Sequence, residues 1–109
     1  MQFDPSRGTE IRKTRPALIV SGTLFNMERT KVTVLPFTAA RIHDPRVSPA
    51  VVVVPSSPQN GLTVDGLLVC VDPNTFDKGR LIRQLGQLET SLLRQAQAIL
   101  KRYLSLEQN

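Results

Sequence analysis

Four short apolar runs, none of them alternating with polar residues in the way of a half-wet strand, do most to limit what this chain can become. They are Ala17 to Ser21, Lys31 to Pro36, Ala50 to Val54 and Leu67 to Val71. Each has the length of a strand, is rich in Val, Ile and Leu, and is bounded by turn residues. A strand with one wet face alternates; a continuous run implies cover on both faces. In a chain of 109 residues there is material for one modest core. The expectation is therefore a single domain over 1–109, a small closed or strongly curled antiparallel sheet with little exposed edge.

Pro and Gly cluster between the runs. Asn60-Gly61 and Asp65-Gly66 are turn signals inside the connection Pro55 to Gly66, and Asp44 to Pro49 forms another stiff loop. Toward the C-terminus the period changes. Leu92, Ala96, Ile99, Leu100, Tyr103 and Leu104 recur at spacings of three and four, which predicts a helix over about Thr90 to Leu106 with these residues facing the core. Glu89 sits near its positive end, and Lys101 and Arg102 near its negative end. Arg94, Gln95 and Gln97 mark the wet face, and the helix is placed to cap one opening of the barrel. Lys78 to Leu88 reads as a helical turn followed by a short strand, although periodicity alone does not decide it.

Charge and chemistry narrow the function. The chain carries 14 Lys and Arg against 9 Asp and Glu, a net +5, and through Arg46 eight basic residues face four acidic ones, so most of the excess lies there. Such a bias suits a polyanion or an acidic protein partner. No apolar run approaches the length of a membrane span and no signal peptide is evident, so a cytoplasmic location is expected. Cys70, the only cysteine, reads as a small buried hydrophobe. With His43 the only histidine, no metal-ligand cluster is expected, and there is neither a phosphate-cradling glycine loop nor a Ser-His-Asp set. No cofactor is expected. Catalysis would have to come from Arg, Lys, Glu, Asp, Thr or Ser, a set suited to phosphodiesters, whose developing charge fixed guanidinium donors stabilise.

Those residue types concentrate in one stretch. Gly8-Thr9-Glu10-Ile11-Arg12-Lys13-Thr14-Arg15-Pro16 packs one carboxylate and three cations into what reads as a loop, locked onto the buried run that starts at Ala17. Together with Asp4 to Arg7 before it and Ala17 to Ser21 after it, this stretch resembles the signature of the MazF/PemK family of bacterial toxin endoribonucleases. The likeness continues in order through Pro36-Phe37-Thr38, Gly61-Leu62-Thr63-Val64-Asp65, Thr75-Phe76-Asp77-Lys78, Arg80-Leu81 and Gly86-Gln87-Leu88.

The resemblance implies a mainly β fold with a C-terminal α-helix, namely an SH3-like barrel, in a homodimer that cuts single-stranded RNA at a short sequence without a metal. It implies Arg15 as catalytic arginine, Thr38 as its partner and Glu10 as the acidic position. Arg15 is a poor proton acceptor, so its work is to stabilise charge at phosphorus. Glu10 is then the candidate general base or the orienter of Arg15, and Thr38 the donor to a nonbridging oxygen. Arg12 and Lys13 would clamp the RNA backbone, and Arg41 and Arg46, either side of His43, would guide it. Phe25 is a candidate stacking platform, whereas Phe37 is expected to face the core. The expected protein partner is a cognate antitoxin whose acidic, flexible tail fills the basic cleft.

Read on the residues alone, other meanings stay open: Thr38 also suits a pleated strand, Glu10 an ordinary pairing with Arg12 or Arg15, and Arg12 with Lys13 a solvated loop. Two departures from the family pattern stand out. Relatives begin with a strand upstream of this stretch, and without it a small barrel would lose ladder bonds and leave an open edge. Where relatives tend to have Gln-Ile-Arg-Thr, this chain has Asp72-Pro73-Asn74-Thr75, losing a cation and a backbone donor. These departures motivate the competing functions: a family member that binds antitoxin or nucleic acid without cutting, or a gyrase inhibitor of the CcdB type.

Overall fold

A computed structural model describes residues 7–11, 15–39 and 50–106 of the chain. Its elements in order are β1 (Arg7–Ile11), β2 (Arg15–Ile19), α1 (Thr23–Glu28), β3 (Lys31–Ala39), β4 (Val51–Val54), β5 (Gly66–Val69), β6 (Asn74–Asp77), a 3-10 turn (Lys78–Arg80), β7 (Leu81–Gln87) and α2 (Thr90–Tyr103). The seven strands described form one antiparallel sheet in the order β4-β5-β3-β2-β1-β7, and β6 also pairs with β3.

The continuous apolar runs are explained by two cores, one on each face. From β2, Leu18 enters a core with Leu35, Phe37, Val52, Val54, Leu68, Cys70, Leu88 and Ala96. Its neighbours Ala17 and Ile19 point the other way, into a smaller core with Val32 and Val34, closed by Phe76 and Leu81. Alternate residues thus go to opposite faces, as the pleat requires, and both faces are dry. α2 covers the larger core through Leu92, Leu93, Ala96, Ile99 and Leu100.

β3 organises the sheet because it changes partners along its length. Val34 pairs with Ile19 on one side and Asn74 on the other, while Phe37, Thr38 and Ala39 pair with Leu68, Leu67 and Gly66. β6 and β5 therefore lie end to end along one edge of β3, with β2 along the other. At the far end of the order, the Gln87 amide donates to the Gln59 carbonyl at 2.9 Å, tying β7 to the turn that follows β4 and curling the sheet on itself.

Several expectations are corrected. The stretch from Gly8 begins as strand β1 rather than loop, paired on both sides, to β2 and to β7. No strand precedes β1 among the described residues, yet the edge of the sheet falls on β7. Asp72 to Thr75 keeps its place in the fold, for Asn74 and Thr75 enter β6 and Pro73 stands just before it, where no ladder bond is needed. The segment 22–30 holds the short helix α1, whose buried Asn26 anchors it. Tyr103 and Leu104, assigned to the buried stripe, are 51% and 47% exposed because α2 ends there. Its end is a Schellman motif: Ser105 has φ 57° and the Leu106 amide donates back to the Lys101 carbonyl at 2.9 Å. The helical turn and strand expected over Lys78 to Leu88 are found, as is the buried Cys70.

Candidate functional site

The site begins where β2 and β3 part. Their ladder pairs Ala17 with Pro36, Leu18 with Leu35 and Ile19 with Val34. Continued by two residues, the same register sets Arg15 across from Thr38, but the paired ladder stops at Ala17 and Pro36. Both residues are exposed, at strand ends whose next turns inward carry the buried core. Arg15 is held on its other side by pairing with Ile11, and Thr38 by pairing with Leu67, so each projects from a strand fixed by a neighbour.

A cleft of about 290 Å³ opens beside Thr38. Its floor is apolar, formed by Pro16, Phe37, Leu62 and Leu85, and its rim carries Thr38, Thr63, Asp65 and Arg83. That mixture of an apolar floor with a few polar groups is how small planar ligands are seated. Arg83, which the sequence reading did not single out, reaches the rim from an irregular part of the sheet. The pairing of β1 with β7 shifts register between Gly8 and Thr9 and again between Glu10 and Ile11. The buried Thr9 hydroxyl donates to the Arg83 carbonyl at 3.0 Å across this bulged segment.

The other wall of the cleft is the loop after β4, and it is pinned by a polar knot. Asn60, 4% exposed, accepts from the amides of Ser57 at 3.1 Å and Leu62 at 3.0 Å, and donates to the Pro55 carbonyl at 2.9 Å and Glu89 Oε1 at 3.1 Å. The Ser57 hydroxyl donates to Glu89 Oε2 at 2.6 Å. Donation from Ser57, with Asn60 contributing less, holds the Glu89 carboxyl below its ordinary pKa against the opposing effect of burial. Glu89 precedes α2 but makes no side-chain cap bond to it; its carboxylate turns to the loop instead. At the tip, the Asp65 carboxylate accepts from the Ser56 amide at 2.8 Å.

Of the sequence-predicted site residues, Arg15 and Thr38 are brought to one end of the sheet. Glu10 lies on β1, its backbone opposite Pro16 and Arg83. Arg12, Lys13, Arg41, His43 and Arg46 lie outside the described residues. Phe37 is buried in the floor and Phe25 is exposed on α1, away from the cleft lining. Among the described residues no three His, Cys, Asp or Glu side chains gather as a metal site would require, and no helix is long and apolar enough to cross a membrane.

Comparison with known proteins agrees with this geometry. Residues 1–104 match the family model described as PemK-like, MazF-like toxin of type II toxin-antitoxin system. Endoribonuclease MazF9 of Mycobacterium tuberculosis is 31% identical over 111 residues, covering 97% of this chain and 91% of that protein. An endoribonuclease solved in complex with its cognate antitoxin, from a mycobacterial species, superposes with a TM-score of 0.78 at 21% identity, over 97% of this chain and 98% of that one. A MazE-MazF structure from Deinococcus radiodurans gives 0.78 at 20% identity, over 95% and 97% of the two chains. At such identities the solved structures speak for the fold.

Proposed function

Belonging as it does to the family of PemK-like, MazF-like toxins of type II toxin-antitoxin systems, this chain is an endoribonuclease toxin, and we propose that it cuts single-stranded RNA without a metal, Arg15 and Thr38 acting at the phosphate. The observation that supports this most directly is the β2-β3 register: continued two residues past its last pair, Ala17 with Pro36, it runs Arg15 toward Thr38, and Thr38 lines the cleft.

In this reading a 2′-hydroxyl attacks the adjacent phosphorus as Glu10, acting as general base, takes its proton. The bond from phosphorus to the 5′-oxygen breaks, that oxygen gains a proton, and the products are a 2′,3′-cyclic phosphate and a 5′-hydroxyl. The Arg15 guanidinium carries the extra charge that builds on the nonbridging oxygens, and the Thr38 hydroxyl donates to one of them. Arg12, Lys13, Arg41 and Arg46 hold the RNA backbone by charge. The regulating partner is a cognate antitoxin with an acidic, flexible tail that competes for the same basic surface, and the working form is a homodimer in the cytoplasm.

The experiment is digestion of a long RNA in EDTA by the purified protein and by Arg15→Ala. Discrete cuts ending in cyclic phosphate, lost in the variant, are expected. Cleavage at a site carrying a single 2′-deoxy substitution at the attacking position would sink the mechanism.

A further inference from the structure

The knot of Ser57, Asn60 and Glu89 has a reach beyond local stability, because of what it holds. The turn it closes is pressed against β7 backbone to backbone. A Cβ on Gly61 would stand 2.0 Å from the Leu85 carbonyl oxygen, and one on Gly86 would stand 2.3 Å from that of Gln59. The turn and the strand therefore have no slack between them, and both supply cleft wall: the loop through Leu62 and Asp65, β7 through Arg83 and Leu85. Leu62 is the hinge between knot and cleft, since its amide donates to Asn60 Oδ1 at 3.0 Å while its side chain lines the floor.

We propose that Glu89 is a positioning residue for the cleft, setting through Ser57 and Asn60 where the Leu62 to Asp65 wall stands relative to Thr38. The proposal rests on the cleft being where RNA is held. Glu89 supplies what a neutral residue at the helix start would not: two acceptor oxygens, one for the Ser57 hydroxyl and one for the Asn60 amide. With both donors engaged, the Asn60 carbonyl is left aimed at the Ser57 and Leu62 amides, and its orientation is fixed. Thr38 and Arg15 are held separately, by β5 and β1, so loosening the knot moves the wall and leaves the reacting groups in place.

That separation makes the test a split between binding and turnover. The full chain and its Glu89→Ala, Glu89→Gln and Ser57→Ala variants are compared on one short RNA substrate, and amide exchange is followed at Leu62 and Phe37. Glu89→Ala and Ser57→Ala are expected to raise KM about tenfold, roughly the worth of one charge-assisted hydrogen bond, with kcat within about twofold of the parent. Glu89→Gln keeps a carbonyl acceptor for Asn60 and falls between. The double variant is no worse than either single one, because both break the same unit. Leu62 exchanges faster in each variant while Phe37 does not. An unchanged KM, or a kcat that falls with the folded fraction at constant KM, overturns the proposal. A parent that cuts no RNA overturns the function proposed above; unchanged exchange at Leu62 overturns the positioning role by itself.

Discussion

Asn26 and Ser21 hold each other by reciprocal hydrogen bonds: the Ser21 hydroxyl donates to Asn26 Oδ1 at 2.5 Å and the Asn26 amide donates to the Ser21 carbonyl at 2.7 Å. The Ser21 hydroxyl oxygen also accepts from the Thr33 amide at 3.0 Å, so the pair fastens the start of α1 to β3. Asn26→Ala leaves the half-buried carbonyl and hydroxyl of Ser21 without these partners. It is expected to cost about 1–3 kcal/mol in urea unfolding, with the exposed Met27→Ala, one residue on, changing stability by less than about 0.5 kcal/mol.

Arg15 and Thr38 are exposed, so their removal separates function from folding. Arg15→Ala is expected to lower kcat on RNA by about 10²–10³-fold, and Thr38→Val by about 10²-fold, with the double variant far from additive. Thermal unfolding of each stays close to the parent.

The tight contact between the turn at Gly61 and β7 makes both glycines obligatory. Gly61 has φ +75°, where a side chain is strained, in addition to its clash with Leu85. Gly61→Ala and Gly86→Ala are each expected to destabilise by more than about 2 kcal/mol. Gly22→Ala, whose Cβ would meet nothing closer than 3.7 Å, serves as the tolerated control in the same denaturation series.

Glu89 predicts a pH dependence with a definite sign. Its carboxyl titrates lower in the folded chain than in the unfolded one, chiefly because Ser57 donates to the charged form. The contribution is complete above the unfolded value and is lost as pH falls through the folded value. Glu89→Gln should flatten the fall in stability on the acid side without changing its slope above pH of about 6, where the carboxyl is ionised in both states. An identical acid limb in parent and variant would refute this.

Burial pushes the Cys70 thiol up to about 11, and its Sγ lies 3.6 Å from the Leu68 carbonyl. At neutral pH the native chain is expected to resist thiol alkylation, and modification should rise only as denaturant unfolds it.

Much of this was legible in the order of residues. The runs Ala17 to Ser21, Lys31 to Pro36, Ala50 to Val54 and Leu67 to Val71 required a sheet with two dry faces, since no other arrangement hides uninterrupted apolar strands. The period of Leu92, Ala96, Ile99 and Leu100 required a helix lying on one of them. Arg15 and Thr38 were nameable through their neighbours in the chain. What tertiary structure alone decided is how distant residues meet. That Arg15 and Thr38 come to the same end of the sheet depends on a register between β2 and β3, which is set by burying Ala17, Leu18, Val34 and Leu35 together. That Glu89 serves the cleft rather than its own helix depends on Asn60, 29 positions away, being carried to it by the fold. Local periodicity records which face of an element is apolar; which polar groups then converge is settled only when the packed faces choose their partners.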